Sequence, residues 1–120
     1  MKLRGLRGAT TCEVDTVDEI DGKTKALVSA MLERNDVDHE DLVSIIFTAT
    51  DDLHAQFPAT AARALGLGDV PLLCARELEI AGSKPRTVRV LMHLYTDRTR
   101  AELHHVYLEG ATTLRDDLPE

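Results

Sequence analysis

The stretch Thr87-Val88-Arg89-Val90-Leu91-Met92-His93-Leu94-Tyr95 decides how this chain is read. Val88, Val90, Met92 and Leu94 alternate with Arg89, Leu91, His93 and Tyr95, the period of two that a strand produces when one of its faces is apolar. The turn Ala81-Gly82-Ser83-Lys84-Pro85 precedes it, and Val70 to Arg76 reads as another strand before that turn. Further back, Val43-Ser44-Ile45-Ile46-Phe47-Thr48-Ala49-Thr50 is a β-rich run that predicts a strand covered on both faces.

Helices fill the gaps. Thr16-Val17-Asp18-Glu19 has the form of a capping box. The stripe Ile20, Leu27, Val28, Met31 and Leu32 carries a helix to Asn35, where a left-handed residue is tolerated. Asp38-His39-Glu40-Asp41 reads as a one-turn cap into Leu42. Phe57-Pro58 opens a second helix over Ala59 to Leu65, because proline is pre-set for the first turn, and Gly66 and Gly68 end it. A segment around Lys2 to Val14 reads as the first strand. A short helix is expected near Thr99 to Leu103, then a last strand over His105 to Glu109, with Gly110 to Glu120 as an ordered or half-ordered tail. The order β-α-β-α-β-β-α-β implies an α+β domain spanning residues 1–120, a mixed sheet packed with helices. Two long helices do not suffice to cover both faces of such a sheet, and a bare apolar face favours oligomerisation.

The 120 residues carry a formal charge of −7, and only 3% are aromatic, so the core must be built from Leu, Val, Ile, Met and Ala. The acidic balance and the lack of a basic run argue against nucleic-acid binding, where phosphate neutralisation supplies most of the affinity. No apolar run approaches the roughly 18 residues of a membrane span, so no membrane partner is expected. Met1 to Gly5 lack an apolar signal core, and Cys12 and Cys74 read as free thiols. Together these predict a cytoplasmic protein. Ten of the fourteen basic residues are Arg, whose planar fork matches carboxylates two at a time.

Arg89 interrupts an otherwise largely apolar strand. A charge there must reach solvent, an acid or a ligand, since an unpaired buried charge is very costly. Alone, it also fits a solvated sheet face. Arg7, between Gly5 and Gly8, has the same ambiguity, and Glu77 alone reads as a solvated strand end. Tyr107 is an ordinary half-buried tyrosine whose hydroxyl needs a partner if buried. The histidines are isolated or adjacent, without ligand spacing, so no metal is expected. No nucleophile elbow, phosphate loop or dinucleotide fingerprint supports hydrolytic or cofactor-dependent chemistry.

Several blocks nevertheless match together. Arg4-Gly5-Leu6-Arg7-Gly8-Ala9-Thr10-Thr11, Thr50-Asp51-Asp52-Leu53-His54-Ala55-Gln56-Phe57-Pro58-Ala59, Val70-Pro71-Leu72-Leu73-Cys74-Ala75-Arg76-Glu77 and His104-His105-Val106-Tyr107-Leu108-Glu109 resemble, in order, the monofunctional AroH-type chorismate mutases. Arg86-Thr87-Val88-Arg89-Val90 and Leu114-Arg115 fit as well. The resemblance implies a homotrimer shaped as a pseudo-α/β barrel, with active sites at its interfaces. It also implies conversion of chorismate to prephenate without cofactor or metal, on the way to phenylalanine and tyrosine. It assigns catalysis to Arg7, Glu77, Arg89 and Tyr107. Phe57, Arg63, Leu73, Cys74, Ala75, Arg76, Leu114 and Arg115 would form or border the pocket.

Those residue types suit the reaction. Chorismate is a dicarboxylate, and its rearrangement is an intramolecular pericyclic shift that needs neither nucleophile nor proton transfer. A protein helps by restraining the side chain over the ring and by placing a cation where the ether oxygen gains charge. Two features sit awkwardly. Strict alternation puts Cys74 and Glu77 on opposite faces of a strand, so both line one pocket only if the strand ends or bulges near Ala75. Asp116 also follows Arg115 where the family has proline. The competing expectation is a non-catalytic trimeric module that binds a small carboxylate.

Overall fold

A computed structural model describes residues 1–114. Its elements are β1 (Lys2–Thr11), α1 (Val17–Arg34), β2 (Leu42–Ala49), α2 (Ala59–Ala64), β3 (Leu72–Arg76), β4 (Thr87–Thr96) and β5 (Val106–Tyr107), with short 3₁₀ turns between some of them. The five strands form one sheet in the order β3-β2-β4-β1-β5. β4 runs antiparallel to both neighbours, whereas β2/β3 and β1/β5 are parallel pairs. This is the mixed α+β architecture that the alternation of periods predicts.

The alternating strand supplies the core as expected. Val88, Val90, Met92 and Leu94 are buried, and the last three cluster with Leu6 of β1, Ile45 and Phe47 of β2, and Leu27, Val28 and Met31 of α1. Ala59 and Ala62 of α2 join the same cluster. Both helices therefore stand on one side of the sheet. Gly8 makes room for α1: a Cβ there would lie 2.5 Å from Met31 Sδ and 3.1 Å from Leu27 Cδ1.

Several local expectations need correction. β2 is covered on one face only, with Ile45 and Phe47 fully buried and Ser44, Ile46 and Thr48 partly open. Thr16 Oγ1 does accept from the Glu19 amide at 3.2 Å, but the Glu19 carboxylate accepts from the amide of Glu13 rather than from Thr16. The left-handed residue after α1 is Asp36 (φ 48°), not Asn35. Asn35 is buried, and its amide donates to the carbonyls of Met31 and His104 while its Oδ1 accepts from His104, locking the helix end to the approach of β5. The helix expected near Thr99 is a single 3₁₀ turn, Arg100–Glu102, closed by a Thr99/Glu102 capping box. The last strand shrinks to two residues because Glu109 turns left-handed (φ 52°) and starts another 3₁₀ turn, Glu109–Thr113. Among the described residues no helix is long and apolar enough to cross a membrane.

Candidate active site

Sheet register dictates which side chains meet on the face without helices. Ala75, Thr48, Arg89, Ala9 and Tyr107 lie side by side across all five strands, and Leu73, Ile46, Leu91 and Arg7 form the adjacent row. Residues directly opposite in a sheet project from the same face, so Arg89 and Arg7 share a side. Glu77 follows β3, its amide donating to the Ala49 carbonyl at 2.9 Å. Arg7, Glu77, Arg89 and Tyr107 all line one cavity of about 350 Å³, together with Ile46, Thr48 and Leu91.

Arg89 Nε lies 3.4 Å from Glu77 Oε1. The pair attracts but is not aligned as a hydrogen bond, and Nε is buried without a hydrogen-bond partner among the described residues. With the two side chains 41% and 25% exposed, such a pair contributes about 0–1 kcal/mol to stability. The guanidinium therefore keeps donors for a ligand. Glu77 Oε2 accepts from the Thr48 hydroxyl. The Arg7 amide donates to His105 Nδ1 at 3.0 Å, fixing the backbone from which its exposed side chain projects. Tyr107 packs with Ala9, Ala111 and Leu114, so the Glu109–Thr113 turn roofs one end of the open face. Gly110 donates to Thr11 Oγ1 and Lys23 pairs with Glu109, which tie that turn down.

Of the other expected pocket residues, Leu114 packs beside Tyr107, and most of the rest line other parts of the surface. Phe57, Cys74, Ala75 and Arg76 line a separate cavity of about 400 Å³ beside the 50–57 loop. Cys74 pairs with Phe47 and packs against the core, so it and Glu77 do stand on opposite sides, and no bulge brings them together. Leu73 is 60% exposed on the edge strand and Arg63 is exposed on α2. Arg115 lies outside the described residues. Sequence reasoning missed Thr48, Ile46 and Leu91. Leu91 shares the phase of Arg89 and was findable by that signal, whereas Thr48 is one polar residue in a β-rich run and gives none.

Residues 3–118 match the family described as chorismate mutase type I. The chain belongs to the type I chorismate mutase family. It is 45% identical to chorismate mutase AroH of Bacillus subtilis over 119 residues, covering 98% of this chain and 94% of that one. It is 48% identical to the Thermus thermophilus chorismate mutase AroH over 117 residues, 97% and 96% of the two chains. A solved chorismate mutase structure from Clostridium thermocellum superposes with a TM-score of 0.88 at 44% identity, covering 90% of this chain and 96% of the other. The chain is thus an isomerase, a chorismate mutase by family.

The loop flanking the site is held electrostatically. Arg86, at the foot of β4, adopts a left-handed conformation (φ 47°), which is costly for a residue that carries a Cβ. Both Asp52 carboxylate oxygens accept from its amide, at 3.1 and 3.0 Å, and Arg86 Nε donates to the Cys12 carbonyl. Partial burial pushes the Asp52 carboxyl up, but the bonds from Thr50 and the Arg86 amide outweigh it and hold the acid below its ordinary value. A depressed folded value means a stabilising contribution that is complete above the ordinary Asp range and is lost as pH falls through the lowered one. Asp52→Asn should therefore unfold at a lower temperature than wild type at neutral pH, with the gap closing in strong acid. A gap independent of pH would contradict the charge-based account. Both cysteines are free thiols, and Cys12 is pushed up to about 11, first by burial and then by Glu19, which keeps it neutral.

Proposed function

We propose that this chain converts chorismate to prephenate in the synthesis of phenylalanine and tyrosine, in the cytoplasm, as a homotrimer with its active sites between subunits. The observation that carries the reading is the meeting of Arg7, Glu77, Arg89 and Tyr107 in one cavity of a type I chorismate mutase chain.

Arg89 is the transition-state donor. As the C–O bond of the substrate breaks, negative charge grows on the ether oxygen, and a fixed cation aimed there acts more strongly in the transition state than in the ground state. Among the described residues its Nε has no hydrogen bond to lose when substrate arrives. Glu77 accepts from the ring hydroxyl. Arg7 and Tyr107 grip a carboxylate, with Arg63 and Arg115 adding to the positive field that draws a dianion. Holding the enolpyruvyl arm over the ring supplies the rest by restricting the substrate to reactive geometries.

Trimerisation is supported by how the residues divide. Four of the twelve expected site residues, Arg7, Glu77, Arg89 and Tyr107, open on one cavity, and four others, Phe57, Cys74, Ala75 and Arg76, on another. Phe57 (68% exposed), Leu73 and Leu91 are apolar and uncovered in the single chain. If the two cavities of neighbouring chains face each other, Cys74 and Glu77 reach one substrate from two subunits, which resolves their conflict of strand phase.

The test is loss of chorismate ultraviolet absorbance with appearance of prephenate, using purified protein without added metal or cofactor. No acceleration over the uncatalysed background would favour a module that binds a carboxylate without turning it over. Light scattering should report the mass of three chains, and a fully active monomer would overturn the interfacial site.

A further inference from the structure

We propose that Thr48 is a positioning residue that holds the Glu77 carboxylate in its working orientation, an inference that rests on the reading of Glu77 given above. Thr48 lies on β2 directly opposite Arg89 on one side and Ala75 on the other, so its side chain emerges on the open face between Arg89 and the strand that leads to Glu77. Its hydroxyl donates to Glu77 Oε2. The other oxygen, Oε1, is left 3.4 Å from Arg89 Nε and free to accept from a ligand.

Something must fix that carboxylate. The Glu77 backbone is anchored through its amide to Ala49, but three side-chain torsions separate the backbone from the acid, and freezing them is entropically costly. Thr48 is suited to the task because a β-branched side chain is stiff at χ1, so its hydroxyl is a donor in a fixed place. Freed from it, Glu77 would swing toward a closer, bidentate pairing with Arg89, since an arginine fork and a carboxylate favour that geometry. Such a pair would misplace the acceptor for the ring hydroxyl and also neutralise the cation that acts on the ether oxygen. One hydroxyl therefore keeps two charged groups near each other without letting them cancel.

Thr48→Val keeps shape and strand propensity and removes only the hydroxyl, and Thr48→Ser keeps the hydroxyl with a poorer strand former. Thr48→Val should lower kcat about tenfold, the loss of one hydrogen bond to a charged group. KM should stay within about twofold, and the unfolding midpoint should be unchanged. Thr48→Ser should recover most of kcat. A merely structural role predicts the reverse order, with Ser worse than Val. In a double-mutant cycle, Thr48→Val added to Glu77→Gln should cost little more than Glu77→Gln alone, because the two act as a unit. Wild-type kcat in Thr48→Val, Ser no faster than Val, or additive losses would each overturn the inference while leaving the activity standing. A wild-type protein that does not turn over chorismate would overturn the activity itself, and this inference with it.

Discussion

Arg89→Ala should lower kcat for chorismate on the order of 10²-fold or more, while the protein stays folded. The size follows from where the charge acts: a donor aimed at an atom that becomes negative only as the bond breaks contributes to the barrier and little to ground-state binding. The unfolding midpoint should barely move. Arg89 is partly exposed and among the described residues makes one loose ion pair, so its loss orphans no buried partner there. Arg89→Lys keeps the charge but not the fork, and a compact ammonium on a flexible stem reaches the same point less rigidly, so a large loss is expected there too. Steady-state kinetics with circular dichroism on both variants checks this. Turnover near wild type in Arg89→Ala would sink the assignment of the principal donor.

The largest effect on stability should come from Phe47→Ala. Phe47 is fully buried on the helix-facing side of β2, in the same cluster as Leu27, Met31 and Val90. Truncating a phenylalanine in such a site costs about 3–5 kcal/mol, the lost transfer of the ring from water plus the cavity left behind. A domain whose whole stability is of order 5–15 kcal/mol loses much of its margin. Urea unfolding at matched protein concentration measures it, since association would make the midpoint depend on concentration. A loss below about 1 kcal/mol would mean that the core collapses around the gap, contrary to the close packing of α1 on the sheet.

The sequence made some of this readable and hid other parts for physical reasons. Val88 to Leu94 announced a half-buried strand because alternation has one cause, and the observed β4 bears it out to within a residue. Thr16 marked the start of α1 because a cap depends on neighbours in sequence. Asn35 misled because its tertiary bonds to His104, 69 residues away, outweigh the local preference for a left-handed turn. The same is true of β2, whose run Ile45-Ile46-Phe47 is apolar on both sides while helices cover only one. That excess is legible only once it is known that Ile46 and Leu91 line the cavity beside Arg89. Individually, Arg7, Glu77 and Tyr107 carried no signal that separated them from surface or core residues. Register, not spacing, brings them together, and the family resemblance was what pointed to them. Thr48 was invisible because its role depends on Glu77, 29 positions later.

The place of β4 in the sheet also bears on how the protein comes to be made. Lys2 to Thr11 pair with Thr87 to Thr96, and β2 borders the same strand from the other side. Until β4 leaves the ribosome, the first strand of the nascent chain has no partner, because its other neighbour, β5, comes later still. Before then only β2 and β3 can join. Synthesis must therefore run through most of the chain before the sheet can close, and the apolar sides of β1 and β2 stay exposed meanwhile. Pairings this distant in sequence fold slowly and invite aggregation of the incomplete chain. A translational stall shortly before Thr87 would leave an unfinished product with no sheet centre on which to fold.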